Sequence, residues 1–361
     1  MTDVPDLFAP LPASPTISVA LTTYNSAQFL EEQLNSFLTQ TRLPVELVVS
    51  DDGSTDDTLA IIAAFAQRAP FAVRVLEKNA RLGFADNFLF AASQCRGDLV
   101  AFSDQDDVWL PGKLETGLGR IVRDNSLLSL HRLTVTDGSL HPVRTHAQGI
   151  AGDAVFGPLE LDPESGWGNT MMFRRELATL IPREDRPQHP GLDRKLSHDT
   201  WLYTVAAAIG RVSHIAESLI LYRQHGSNTA GVTAPSLAGR AKGIYVDPTT
   251  GIRLNLAFNE SLSPLFSALA ERTDGEARDH AIAAAVRFAQ RADRLAHRLD
   301  LYERTSLTGR LRAYAAMLRS LQGDQPAWQR AHKVAAKDFV LGVTGLDRRA
   351  KRTAARKHPA P

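Results

Sequence analysis

The stretch Phe102–Trp109 reads F-S-D-Q-D-D-V-W and sets three carboxylates, Asp104, Asp106 and Asp107, at the end of an apolar run. A second acidic stretch, S-D-D-G-S from Ser50 to Ser54, follows an earlier apolar run. Like charges this close raise one another's pKa, and two carboxylates about 4 Å apart repel by about 4 kcal/mol at an effective dielectric of 20. A single aspartate after a strand is ordinarily a helix cap or a solvated turn, and Asp56, Asp57 and Asp107 are read that way. Two strand ends that both carry aspartate call for a cation. Mg²⁺ or Mn²⁺ takes oxygen ligands that include substrate phosphates, so the chemistry that fits is a metal–diphosphate site.

Alternating elements would position these residues. Ile17–Thr22, Val45–Ser50, Phe71–Leu76 and Asp98–Ser103 read as buried strands. Between them, Asn25 or Ser26 caps a helix with an apolar face of Phe29, Leu30, Leu34, Phe37 and Leu38; Ser54 caps a second helix, and a short third covers Phe84–Gln94. Strands alternating with helices imply right-handed crossovers and a largely parallel sheet. Ligands of such sheets bind outside the strand carboxyl ends, where Asp51, Asp52 and the Asp104–Asp107 cluster lie. Further on, strands are predicted at Leu128–Thr136, Gly168–Arg174, Val212–Ile215 and Leu219–Arg223, with a helix at Asp199–Ala208. Pro- and Gly-rich loops cover Gly157–Gly168 and Pro182–Gly191. Helices follow at Ile252–Arg272, Glu276–Tyr302 and Leu307–Leu321.

Composition excludes several classes. The 361 residues are 43% apolar and 22% charged, as in a globular chain with an adequate core, and the net charge of +1 gives no basic field for nucleic acid. A local exception is the tail Arg348–Lys357, where six basic residues follow Asp347. The lone cysteine, Cys95, excludes an internal disulfide and has no paired base to make it a nucleophile. The N-terminal residues have no apolar h-region, and no run approaches the roughly 18–20 apolar residues of a membrane span; the expected location is cytoplasmic. The turn after the first strand, T-Y-N-S-A-Q, contains no glycine, and there is no P-loop, which argues against a nicotinamide dehydrogenase.

The ordered set I-S-V-A-L-T-T-Y-N, V-V-S-D-D-G-S-T-D, N-A-R-L-G-F-A-D-N and F-S-D-Q-D-D-V-W resembles family 2 glycosyltransferases of the GT-A fold. It continues through G-N-T-M-M-F-R-R-E-L, H-D-T-W-L and L-Y-R-Q-H-G-S-N-T, over roughly residues 15–231. The forms S-D-Q-D-D-V-W and H-D-T-W are similar to the rhamnosyltransferase-like branch that builds bacterial surface polysaccharides. The resemblance implies an α/β fold with a Rossmann-like, mostly parallel sheet and, here, a helical C-terminal extension. It implies residues 1–124 as the nucleotide-sugar half, 125–245 as the acceptor half and 246–361 as the extension with its basic tail.

By the same resemblance Thr23, Tyr24 and Asn25 surround the donor base, and Asp52 contacts base or ribose. Arg81 and Gly83 touch the nucleotide, and Asp104 with Asp106 forms the D-x-D pair, Asp106 being the metal ligand. Asp199 takes the proton from the acceptor hydroxyl, and His225 completes the metal or diphosphate site. His198 replaces the acidic residue that commonly precedes that aspartate. Trp109, Trp167 and Trp201 suit a sugar face, or else packing; Arg174 and Arg175 suit a diphosphate, or else an amphipathic surface. The implied partners are a nucleotide-diphosphate sugar and a saccharide or lipid-linked acceptor, with the tail touching an anionic membrane. The chain has no Q-x-x-R-W motif, so transfer is non-processive and, in this family's manner, inverting. Two alternatives carry the same acidic pattern: a haloacid-dehalogenase-type phosphatase, whose D-x-D follows the first strand rather than the fourth, and a sugar-nucleotide-binding protein without catalysis.

Overall fold

The structure is a computed structural model and describes residues 6–78, 80–161, 166–226, 248–320 and 337–344. Buried parallel strands read as continuous apolar runs because both faces are covered. Accordingly β1 (Ile17–Thr23), β2 (Glu46–Asp51) and β4 (Leu99–Ser103) are buried almost throughout, and β3 (Ala72–Val75) is a more open edge strand. The helices between them are α1 (Leu30–Leu38), α2 (Thr58–Ala66) and α3 (Phe84–Ser93). Neither Asn25 nor Ser54 caps a helix through its side chain. Instead Asn25 accepts from the Thr55 amide at 2.8 Å and its own amide donates to Ser54 Oγ at 2.8 Å, locking the turn after β1 to the turn after β2.

The remaining elements of the sheet domain are β5 (Val108–Trp109), α4 (Lys113–Asp124), β6 (Leu128–Thr136), β7 (Pro142–His146), β8 (Ala154–Phe156), β9 (Met171–Arg174), α5 (His198–Ile209) and β10 (Val212–Arg223). Among the described residues the sheet has ten strands in the order β3-β2-β1-β4-β9-β6-β10-β5, with β7 on β6 and β8 on β10. Its first four strands are parallel; β9 then runs antiparallel to both β4 and β6. The two strands predicted at Val212–Ile215 and Leu219–Arg223 are one, β10, whose register against β6 shifts between Ile215 and Ser218 and again before Leu221. That irregularity is the polar break A-E-S that separated the two apolar runs in the sequence.

Three longer helices follow: α6 (Pro248–Arg272), α7 (Gly275–Glu303) and α8 (Leu307–Ser320). The chain divides into two compact units, one of residues Met1–Arg186, Lys195–Gly231 and Leu269–Ala281, the other of Pro187–Arg194, Val232–Ala268 and Ile282–Pro361. Within the second, Phe266 stacks on Phe288 with ring centroids 5.4 Å apart, and the buried Asp338 is held by Arg298 (2.6 and 3.0 Å) and by Tyr302 Oη (2.7 Å). Among the described residues no helix is long and apolar enough to cross a membrane. The basic tail lies outside the described residues.

Candidate active site

Strand register brings the sequence motifs to one edge. Thr23 pairs with Asp51, and Leu21 pairs with Ser103, so Tyr24, Asp52 and Asp104 leave neighbouring strands side by side. This is the crevice outside the carboxyl ends of β2, β1 and β4, where open α/β sheets take their ligands.

On one side stand the residues assigned to the nucleotide. Tyr24 is 44% exposed and its ring lies 4.4 Å from the Arg81 guanidinium. Arg81 is in turn held by the Gly53 carbonyl at 3.1 Å. Thr23 is buried and donates to Asp51 at 2.7 Å, so its hydroxyl serves the turn. Asp52 accepts three bonds, from Lys78 Nζ (2.8 Å) and from the amides of Leu82 (2.8 Å) and Gly83 (2.9 Å). Burial alone would raise its pKa, but the bonds from Lys78, Leu82 and Gly83 outweigh that and hold it below the usual carboxylate range. Gly83 has φ +75°, which favours glycine where its amide turns toward Asp52. Asp52 therefore ties Lys78 to Leu82 and Gly83, next to which Arg81 meets Tyr24.

The acidic loop lies beside it. Gln105 bonds the Tyr24 backbone, and Asp106 Oδ2 lies 2.9 Å from His225 Nε2. Burial raises the Asp104 pKa to about 7, and the carboxylates of Asp106 and then Asp199 add to it. Burial also raises Asp106, opposed by the His225 bond. Asp104 thus feels a carboxylate from its own loop and another from α5. Asp199 stands in the first turn of α5; its Oδ1 accepts from Ser197 Oγ and from the Thr200 amide.

Other residues depart from expectation. Asp107 is no solvated turn: it is fully buried, accepting from Asn169 Nδ2 at 2.7 Å and from the Arg223 amide at 3.2 Å. Trp109 and Trp201 are 1% and 2% exposed and present no face to a sugar, because both fill the core; Trp109 packs edge-on against Phe37 at 4.7 Å. Trp167 is half-buried, between His146 and Tyr222. His198 is buried and stacked on Phe88 at 4.1 Å, and burial pushes its pKa down to about 4. Arg174 is also buried and binds the carbonyls of Leu7 and Ala9, while Arg175 bonds the Arg96 carbonyl; both serve packing. Burial pushes the Cys95 thiol up to about 12, which leaves it inert as a nucleophile.

The sequence reading passed over Lys78, Gln105, Lys113, His131, Asn169 and Arg223. A signal existed for Gln105, which sits inside the acidic motif, and for Lys113, which follows an apolar segment at the start of α4. The other contacts depend on the fold alone. Among the described residues no three His, Cys, Asp or Glu side chains enclose a metal ion. The mutually repelling Asp104 and Asp106 fit a hard cation that takes one or two carboxylates and completes its shell with water and diphosphate oxygens.

Comparison with known proteins decides the family. A model described as glycosyl transferase family 2 matches residues 18–212, more than half of the chain. The chain belongs to glycosyl transferase family 2. An uncharacterized glycosyltransferase of Nostoc sp. is 30% identical to it over 218 residues, 59% of this chain and 66% of that protein. The dTDP-rhamnosyl transferase RfbG of Shigella flexneri is 26% identical over 218 residues, 58% of this chain and 73% of that protein. The match spans 66% of the Nostoc protein and 59% of an uncharacterized Mycobacterium bovis protein, less than two thirds of the length of either. In structure, S. aureus TarS 1–349 in complex with UDP-GlcNAc aligns with a TM-score of 0.50 at 20% identity, covering 88% of this chain and 92% of that one. That likeness is one of fold, and the fold is the GT-A fold that the motifs imply.

Proposed function

We propose that this family 2 chain is an inverting, metal-dependent, non-processive glycosyltransferase that moves one sugar from a nucleotide-diphosphate donor to a saccharide or lipid-linked acceptor in cell-surface polysaccharide synthesis. The observation that carries the proposal is the convergence on Asp104 of the Asp106 and Asp199 carboxylates, at the strand ends beside the Tyr24–Arg81 pair. Tyr24, Arg81 and the residues tied by Asp52 receive the nucleotide. Asp106, with Asp104, holds Mg²⁺ or Mn²⁺, which when bound supplies positive charge against the departing diphosphate. His225 orients Asp106 through the 2.9 Å bond; direct ligation by its Nε2 would require that bond to be exchanged.

Asp199 Oδ2 accepts the proton of the acceptor hydroxyl as the oxygen attacks the anomeric carbon and the bond to the diphosphate breaks. A single displacement leaves the anomeric configuration inverted and needs no covalent enzyme intermediate. The donor we favour is dTDP-rhamnose, supported by the S-D-Q-D-D-V-W and H-D-T-W forms and by the likeness to RfbG; a UDP-sugar is the alternative. We place the reaction in the cytoplasm, with the basic tail at an anionic membrane surface. The test is a thermal-shift screen of nucleotide sugars with Mn²⁺, followed by transfer assays with whichever donor stabilises the protein. No stabilisation by any nucleotide sugar with Mn²⁺ would sink the proposal.

A further inference from the structure

Between the acidic loop and Asp199 stands a short turn, Gly168–Thr170, which leads into β9. The Asn169 amide Nδ2 donates to Asp107 Oδ2 at 2.7 Å, and the Asn169 carbonyl accepts from Lys113 Nζ. Lys113 is 3% exposed; its Nζ lies 3.0 Å from His131 Nε2 and 4.4 Å from the Trp109 ring. His131 Nδ1 is 2.7 Å from the Arg132 carbonyl, a bond that puts the proton on Nδ1 and leaves Nε2 to accept from the lysine. Buried polar groups persist only when they are hydrogen-bonded. Asn169 supplies the connection, its main-chain carbonyl accepting from Lys113 Nζ and its side-chain amide donating to Asp107.

The other side of the turn touches the base. A Cβ added to Gly168 would lie 2.5 Å from His198 Nε2 and 3.5 Å from Asp199 Cβ, so the bare backbone packs on the first turn of α5. Asp107 adjoins Asp106, and Arg223 Nε donates to the Asp106 carbonyl at 3.0 Å while its amide bonds Asp107. The acidic loop is therefore fastened from below by Asn169 and from β10 by Arg223.

We propose that the Gly168–Asn169 turn, clamped by Lys113 and His131, is a positioning strut that sets the Asp104–Asp106 pair against Asp199. The inference rests on the roles given to those three aspartates above. Neither Gly168 nor Asn169 touches substrate in it. Asn169 acts through Asp107 on the acidic pair, and Gly168 acts on Asp199 by leaving room for the His198–Asp199 turn. A reaction in which diphosphate departure and proton removal occur together requires both halves in register, and displacement of one by about 1 Å costs about 100-fold in rate.

The two halves of the strut have separable readouts. Purified full-length protein is titrated calorimetrically with UDP and dTDP in the presence of Mn²⁺ and with UMP and dTMP in its absence. Donor hydrolysis is followed without acceptor, using the nucleotide sugar whose base binds. Asn169→Ala, which frees Asp107 beside the proposed ligand Asp106, is expected to weaken Mn²⁺–diphosphate binding by about 10-fold, the low end of the effect of removing an outer partner of a metal ligand, with monophosphate affinity unchanged. Gly168→Ala is expected to show the opposite split: diphosphate affinity unchanged and hydrolysis lower by about 100-fold. A role in stability alone would lower the melting temperature of both variants without separating the two readouts. Asn169→Ser, which like Asn169→Ala keeps the main-chain carbonyl that accepts from Lys113 but leaves a smaller void, is measured alongside. Wild-type diphosphate affinity in a folded Asn169 variant overturns the strut. If neither Asn169 variant folds, Gly168→Ala decides, and wild-type hydrolysis overturns it. If the wild-type protein itself binds neither diphosphate with Mn²⁺, the reading as a metal-dependent enzyme with a pyrimidine-nucleotide donor falls, and the strut with it.

Discussion

Tyr24 and Gln105 hold each other by two hydrogen bonds: the Tyr24 amide donates to Gln105 Oε1 at 2.7 Å, and Gln105 Nε2 donates to the Tyr24 carbonyl at 3.3 Å. Gln105 stands between Asp104 and Asp106, so the acidic loop and the turn proposed to receive the base are joined at one residue. Gln105→Ala is expected to weaken binding of a metal-free nucleoside monophosphate by about 5-fold, as loss of a bond or two worth about 1 kcal/mol in total would. Calorimetry measures it, and unchanged affinity would mean that the tether does not shape the nucleotide site.

Asp104 links stability to pH. Its folded-state pKa is raised to about 7, first by burial and then by Asp106 and Asp199. A folded chain that keeps a proton the unfolded chain has released loses stability as pH rises. The loss from this group runs from the ordinary carboxylate range, near pH 4, up to about 7. Metal-free Asp104→Asn is therefore expected to gain melting temperature over wild type as pH goes from 5 to 8, with little difference at the acid end. Mn²⁺ binds the ionised form and should stabilise the wild type more at pH 8 than at pH 5. Melting curves with and without Mn²⁺ test both; parallel curves for wild type and variant would contradict the assignment.

Asp199→Asn keeps the shape of the α5 N-terminus and removes the proposed base. It is expected to lower kcat by about 100-fold or more, with donor affinity retained. Were Asp199 only an element of the helix start, asparagine would serve nearly as well and activity would persist. Product NMR supplies the second arm, since retention of the donor's anomeric configuration would exclude a single displacement.

Trp201→Ala is expected to destabilise the fold by about 3–5 kcal/mol, the cost of a large void in a packed core. Its side chain is 2% exposed, so the effect should appear in chemical denaturation. At temperatures where the variant stays folded, the KM for acceptor should remain unchanged. A selective rise in that KM would restore Trp201 to the acceptor side.

Deletion of the basic tail from Arg348 onward is expected to reduce sedimentation with vesicles containing anionic lipid and to leave activity on a soluble acceptor intact. Each basic residue near such a surface contributes about 1 kcal/mol. Equal pelleting of full-length and shortened protein would end the membrane proposal.

The sequence by itself determined the parallel half of the sheet and the chemistry at its edge. Buried, mostly apolar runs at Glu46–Asp51 and Leu99–Ser103 are what strands covered on both faces require, and Asp52 and Asp104, which follow them, are placed by chain order alone. The tertiary structure decided everything that depends on pairing between distant segments. Asp107 and Asp106 are adjacent in sequence, yet one is sealed by Asn169 and the Arg223 amide while the other meets His225. Trp109 and Trp167 are both single tryptophans beside motif residues, and only packing makes one core and leaves the other half-open. Short elements such as β5, β7 and β8 carry too few residues for a periodic signal and exist because β6 and β10 offer them a ladder. Local pattern reports which face of a segment is apolar. Which carboxylate is buried, and against what, is settled by residues that arrive from sixty to more than a hundred positions away.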